Sequence, residues 1–237
     1  MVKYNTIIKI IEDNLNKCTV TLKTIKQQIS PLIKKITDTQ EEYELLMDKI
    51  PRFYRDYWNA PLEHQLIKAH EKDGGKEWES VGTETEIQIS EEISTHGEFY
   101  GLLLGIHNHP FNCCFQSPQD FVTKSELNEK YSVTVAKDGI MIAKKTGYNP
   151  TSIIKPICYK LHKEKLEKIK QTPQYKDTIK KYEDKKITKE ECDVMVTKVV
   201  NDWYSEHLME CKNDLDEQFQ KEDCGIQTDY MYIKRNG

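Results

Sequence analysis

The chain has 237 residues, 35 basic and 39 acidic, for a net charge of −4, with 37% hydrophobic and 31% charged residues and a mean hydropathy of −0.73. So polar a composition predicts a core that occupies only part of the chain, and the balanced charge offers no electrostatic case for nucleic acid. The longest apolar run, Phe99 to Ile106, falls well short of the ~20 residues a membrane-spanning helix needs.

Met1 to Asn5 leads into a charged amphipathic stretch, not a signal-peptide core, which predicts a cytoplasmic protein. The seven cysteines match neither a zinc ribbon nor a disulfide framework, so free thiols are expected. Residues 1–55 read as helical. Ile8, Ile11, Leu15, Cys18, Leu22, Ile25, Ile29, Leu32 and Ile36 form a seam of alternating three- and four-residue steps. Two readings of it stand: a coiled coil that makes a homodimer through the N-terminal helices, or a hairpin that packs on its own chain. Ser30-Pro31 inside the seam predicts a break or a kink.

Residues 56–150 read as an α/β region. Leu66 to His70 and Glu77 to Val81 are predicted strands around a turn at Asp73-Gly74-Gly75, and Glu86 to Ile89 alternates. A short helix capped by Ser90 reaches Gly97, and Phe99 to Ile106 is a continuous apolar run suited to a buried central strand. Ser117-Pro118-Gln119-Asp120 opens a helix reaching about Asn128, and Tyr131 to Ala136 with Gly139 to Ala143 reads as a hairpin. Residues 151–237 return to charge-rich helix, with the lysines of 160–189 on a solvated face. Thr188 and Glu191 make a capping box for one long helix through about Phe219, its apolar face carrying Val196, Val199, Val200 and Trp203. Tyr230 to Ile233 is either a strand or a frayed tail.

The chemistry concentrates between His107 and Asp120. Side chains at i and i+2 of a strand face the same way, so His107 and His109 aim two imidazoles at one point at the C-terminal end of the most apolar strand. Asp120 falls on the first turn of the next helix, and the intervening loop is long enough to bring its carboxylate back. Two histidines and a carboxylate leave a fourth position for water, the ligand count of a catalytic zinc site. The plainer reading makes Ser117 a helix cap and Asp120 its acidic partner, and both can hold together. Cys113 and Cys114 are soft donors as well, but adjacent residues do not readily both point inward.

The pattern His107-x-His109, Ser117, Asp120 resembles that of the JAB/MPN (JAMM-motif) metalloprotease family. His107-Asn108-His109-Pro110 with Ser117-Pro118-Gln119-Asp120 looks like its bacterial and phage-type, RadC-like branch. The resemblance covers about residues 60–145 and not the helical flanks. It implies a JAB/MPN-like mixed β-sheet domain holding Zn²⁺ through His107, His109 and Asp120. It also implies a Ser117 that helps bind a tetrahedral intermediate, and a general-base glutamate. Glu63 is preferred for that base over Glu98, which the predicted strand would place ~30 Å from His107. The implied activity is hydrolysis of amide or isopeptide bonds in a peptide or protein substrate, such as a ubiquitin-like conjugate. The competing function is a non-catalytic scaffold or phage-type assembly protein built on such a domain.

Overall fold

Alternation along the central strands decides the architecture. Leu104, Ile106, Tyr131, Val133, Val135, Ile140 and Ile142 belong to one buried cluster, while Met141 and Ala143 belong to another. One sheet buried on both faces is what such a pattern requires, and it explains why its central strands read as nearly continuous apolar runs. The computed structural model describes residues 21–83, 87–110 and 113–233. Its sheet has six strands: β1 (His64–Ala69), β2 (Glu77–Val81), β3 (Leu102–Asn108), β4 (Glu129–Val135), β5 (Gly139–Lys145) and β6 (Ile226–Tyr232). Their spatial order is β2-β1-β3-β4-β5-β6, with β3 and β4 parallel and all other neighbours antiparallel.

One face is covered by a helical hairpin, α1 (Leu22–Ile36) and α2 (Gln40–Tyr57). Of the described seam residues, Leu22 is half-buried, and Ile25, Ile29, Leu32 and Ile36 are buried with Leu46, Ile50 and Phe53 against the sheet. Each fully buried aliphatic side chain of this kind stabilises the fold by about 1.5–3 kcal/mol. The seam residues from Ile8 to Cys18 lie outside the described residues. The hairpin is also pinned by polar contacts: Tyr131 Oη donates to Glu42 at 2.8 Å and Lys144 Nζ to Asp38 at 2.5 Å. The other face carries α4 (Pro118–Glu126), α5 (Thr151–Ile169), α7 (Lys189–Glu206) and α8 (Leu208–Lys221), with α6 (Pro173–Glu183) against α7. Helix α3 (Glu91–Tyr100) closes a small cluster of Ile67, Ile93, Leu102 and Leu127.

Several expectations need correction. Helix α1 runs unbroken through Pro31. The chain turns instead at Thr37–Thr39, where Thr39 caps α2 by accepting from Glu42 N. Phe99 and Tyr100 are exposed ends of α3 and not strand, because the helix continues to Gly101, whose φ of +72° suits glycine. Residues 87–90 form no strand, and Ile87 and Ile89 instead line a cleft described below. The helix capped by Thr188 ends at Glu206. His207 leaves helical geometry (φ −110°, ψ 22°), stacking at 4.1 Å on Trp203 and bonding its carbonyl, and α8 restarts at Leu208. Lys165, placed by sequence on a solvated face, is buried and ion-paired with Glu210 and Asp214. The terminal segment is a strand, beginning at Ile226 and pairing with β5. No described helix is long and apolar enough to cross a membrane.

Candidate metal centre

His107 is the penultimate residue of β3, and His109 follows the strand end, held in line by His109 N donating to Val135 O at 2.9 Å. Period-two alternation therefore turns both imidazoles to the face away from the α1–α2 hairpin. Asp120 reaches them because Ser117 and Asp120 make the predicted capping box. Asp120 N donates to Ser117 Oγ at 3.2 Å and Ser117 N donates to Asp120 Oδ2 at 2.6 Å. The bond that starts α4 thus also fixes the rotamer of the carboxylate.

The three donors converge. His107 Nε2 lies 3.2 Å from His109 Nε2 and 3.4 Å from Asp120 Oδ1, and His109 Nε2 lies 3.5 Å from Asp120 Oδ2. Two atoms bound at ~2.0–2.1 Å to a tetrahedral ion stand about 3.3 Å apart, so the spacing is close to that around a zinc-sized cation, with a different Asp120 oxygen nearest each imidazole and one donor atom from each residue within 4.8 Å of the others. The tautomer fits too. His109 Nδ1–H donates to the Cys113 carbonyl at 2.9 Å, which leaves Nε2 as the lone-pair donor. The Cys113 segment is fixed in turn by Cys114 N donating to Asp138, whose other oxygen accepts from Ser205 of α7. Among the described residues this is the one group of three or more His, Cys, Asp or Glu side chains close enough to share an ion. The side chains of Cys113 and Cys114 are buried outside it, and burial holds both thiols well above their ordinary pKa, protonated and poor as ligands.

Charge in the site follows from the same geometry. Burial alone would raise the Asp120 carboxyl, yet the two imidazoles hold it well below the ordinary carboxylate range. Burial likewise opposes a charged His109, and the Asp120 carboxylate outweighs it, so its pKa is raised. A metal held here would compete with that proton, and the affinity for added zinc is expected to fall about tenfold per pH unit once pH drops below the raised His109 pKa. The metal-free fold should show the opposite trend, losing the His109–Asp120 contribution as pH rises through that pKa. Zinc titrations and urea melts across neutrality check both signs, and a pH-independent affinity contradicts the assignment.

Glu63, Ser117 and the three donors all line one cleft of about 240 Å³. Glu63 is buried just ahead of β1, and its charge acts on His109. Its backbone is held on both sides. Glu63 N donates to Thr83 O and Gly82 N to Glu63 O, each at 2.8 Å. On the β3 side Asn108, fully buried, accepts from His64 N at 2.6 Å and donates to Leu62 O at 3.1 Å. The residue between the two histidines therefore clamps the chain either side of Glu63. Asn108→Ala leaves two backbone groups without partners and is expected to cost about 2–4 kcal/mol in urea denaturation. Glu98 is exposed on α3 and lies outside the cleft.

Sequence reasoning assigned no role to Asn108, although it stood inside the quoted motif, and it missed Lys124, Glu129, Thr197 and Asn201, which also line the cleft. Lys124 Nζ donates to the Glu129 carbonyl at 2.9 Å, and burial pushes the Lys124 pKa down and the Glu129 pKa up. Gly105 makes room for that carboxylate, since a Cβ there would meet Glu129 Oε1 at 2.5 Å. Fold and site together define a mixed α/β protein with a preformed two-histidine, one-carboxylate centre in a polar cleft. Comparison with protein families, with curated proteins and with solved structures finds no match to the chain.

Proposed function

We propose that the chain is a zinc-dependent hydrolase of amide or isopeptide bonds, with a JAB/MPN-like domain, acting on a peptide or protein substrate. The observation that carries this reading is the convergence of His107, His109 and Asp120 in a cleft that Glu63 and Ser117 also line. His107, His109 and Asp120 would hold the ion through Nε2, Nε2 and a carboxylate oxygen. Zinc supplies Lewis acidity there, bringing the pKa of a water toward ~7 and polarising a carbonyl. Glu63 takes the water's proton on its carboxylate and returns it to the leaving amine. Ser117 Oγ accepts from Asp120 N, which leaves its own proton to donate to the substrate oxygen as charge develops on it. Asn108 keeps the Glu63 backbone in register with the ligand strand while this happens.

The test is a screen of peptides and ubiquitin-like conjugates with the zinc-loaded full chain. The reading expects cleavage that a chelator abolishes and zinc restores. Cleavage indifferent to chelator, or none across the screen, contradicts it and favours the scaffold alternative.

A further inference from the structure

A second cavity adjoins the metal cleft, of about 210 Å³, and the two share His109, Ser117 and Asn201 as lining. Its walls are Phe115, Phe121, Leu161, Val200, Tyr204 and Leu215, drawn from the loop before α4, from α4 and from α5, α7 and α8. Tyr204 makes a flat aromatic wall, stacked on Phe115 at 5.3 Å and on His162 at 5.9 Å.

The charged groups around it are already paired and the rest are neutral. The Gln116 amide nitrogen donates to Ser132 O at 3.0 Å, and its Oε1 is, among the described residues, the one buried neutral acceptor here without a protein partner. Lys165 is ion-paired with Glu210 and Asp214. His162 bonds the Tyr204 hydroxyl at 2.8 Å, and burial lowers its pKa, so it is uncharged at neutral pH. Burial pushes the thiols of Cys158 and Cys211 up to about 12. A site with no unpaired charge rejects ions and accepts apolar groups, because an ionic occupant would lose its hydration without gaining a partner. Size narrows the occupant further. The cavity lies below the ~300 Å³ at which pockets for drug-sized ligands begin. It lies above the ~150 Å³ of an apolar cavity that holds benzene. One large side chain fits it.

We propose that this pocket, roofed by the C-terminal helices, receives the side chain of the substrate residue bordering the scissile amide, and that it selects aromatic or branched aliphatic residues. The proposal rests on the hydrolase reading of the adjoining cleft. Ser117 stands at the junction, so a carbonyl presented to its hydroxyl places the neighbouring side chain at the pocket mouth.

Binding tests this independently of turnover. The full chain, zinc-loaded and metal-free, is titrated with the N-acetyl amides of phenylalanine, leucine, alanine and lysine. The phenylalanine and leucine probes are expected to bind about 10- to 100-fold more tightly than the other two in both states. Val200→Trp and Leu161→Trp plug the pocket from two different helices. Each should reduce that preference below about threefold, with melting confirming that at least one is folded. Equal affinity for all four probes, or a preference that a folded plug leaves intact, overturns the pocket. An apolar preference without any zinc-dependent cleavage overturns the hydrolase reading, and with it the substrate role, while the binding site remains. Where peptides are cleaved, kcat/KM should rank the bordering residue in the same order.

Discussion

Asp120→Ala is expected to lower zinc affinity by at least about 100-fold and to destabilise the metal-free chain as well. Changing a residue that merely orients a ligand costs about 10- to 100-fold, so losing the single anionic donor sets that range as a floor. The stability loss has a separate origin. Asp120 Oδ2 accepts the Ser117 N–H at the start of α4, and without it that donor is orphaned at a cost of about 1–3 kcal/mol. Asp120→Asn separates the two effects, since its amide oxygen still accepts from Ser117 while the negative charge is gone. Zinc competition against a chromophoric chelator, run beside urea melts, should show affinity falling in both variants and stability falling mainly in the alanine. Undiminished zinc binding by the alanine variant removes Asp120 from the centre.

Glu63→Gln is expected to keep zinc and to reduce cleavage by about 10²- to 10⁴-fold, the usual contribution of a positioned general base. The amide preserves shape and one acceptor oxygen but cannot take a proton. The backbone of residue 63, held by Thr83 and Gly82, gives no reason for the fold to change. Glu129→Gln is the control from the same cleft. Its carboxyl is buried beside Lys124, and burial keeps its pKa high, so its replacement is expected to alter stability more than proton transfer. Full activity in Glu63→Gln, with loss in Glu129→Gln, would reassign the base.

The centre was legible because its parts are local. A two-residue strand spacing, a helix cap and a nine-residue loop between Asn108 and Pro118 place His107, His109 and Asp120 with no knowledge of the rest of the chain. The strands of the central sheet were legible for the same reason, β3 as a continuous apolar run and the others through apolar patterning and glycine turns. What sequence could not supply is long-range. Nothing in the α7 pattern announces that Asn201 and Val200 border a site some 80 residues earlier in the chain, or that Lys165 turns inward to meet Glu210. The seam of α1 was visible as an apolar stripe, but a stripe is silent about what covers it, and here it is covered by α2 and by the sheet, with α1 lying against β6. The misplaced boundary at Phe99 has a physical cause: two aromatic residues that suit a strand end a helix that Gly101 terminates, and both remain exposed.

The most direct measurement is X-ray absorption at the zinc edge of the full chain loaded with one equivalent of zinc. The account predicts nitrogen and oxygen donors at ~2.0–2.1 Å with imidazole scattering from two histidines and no sulfur shell. A shell near ~2.3 Å, which would bring Cys113 or Cys114 into the coordination sphere, or failure of the chain to retain zinc, would contradict it.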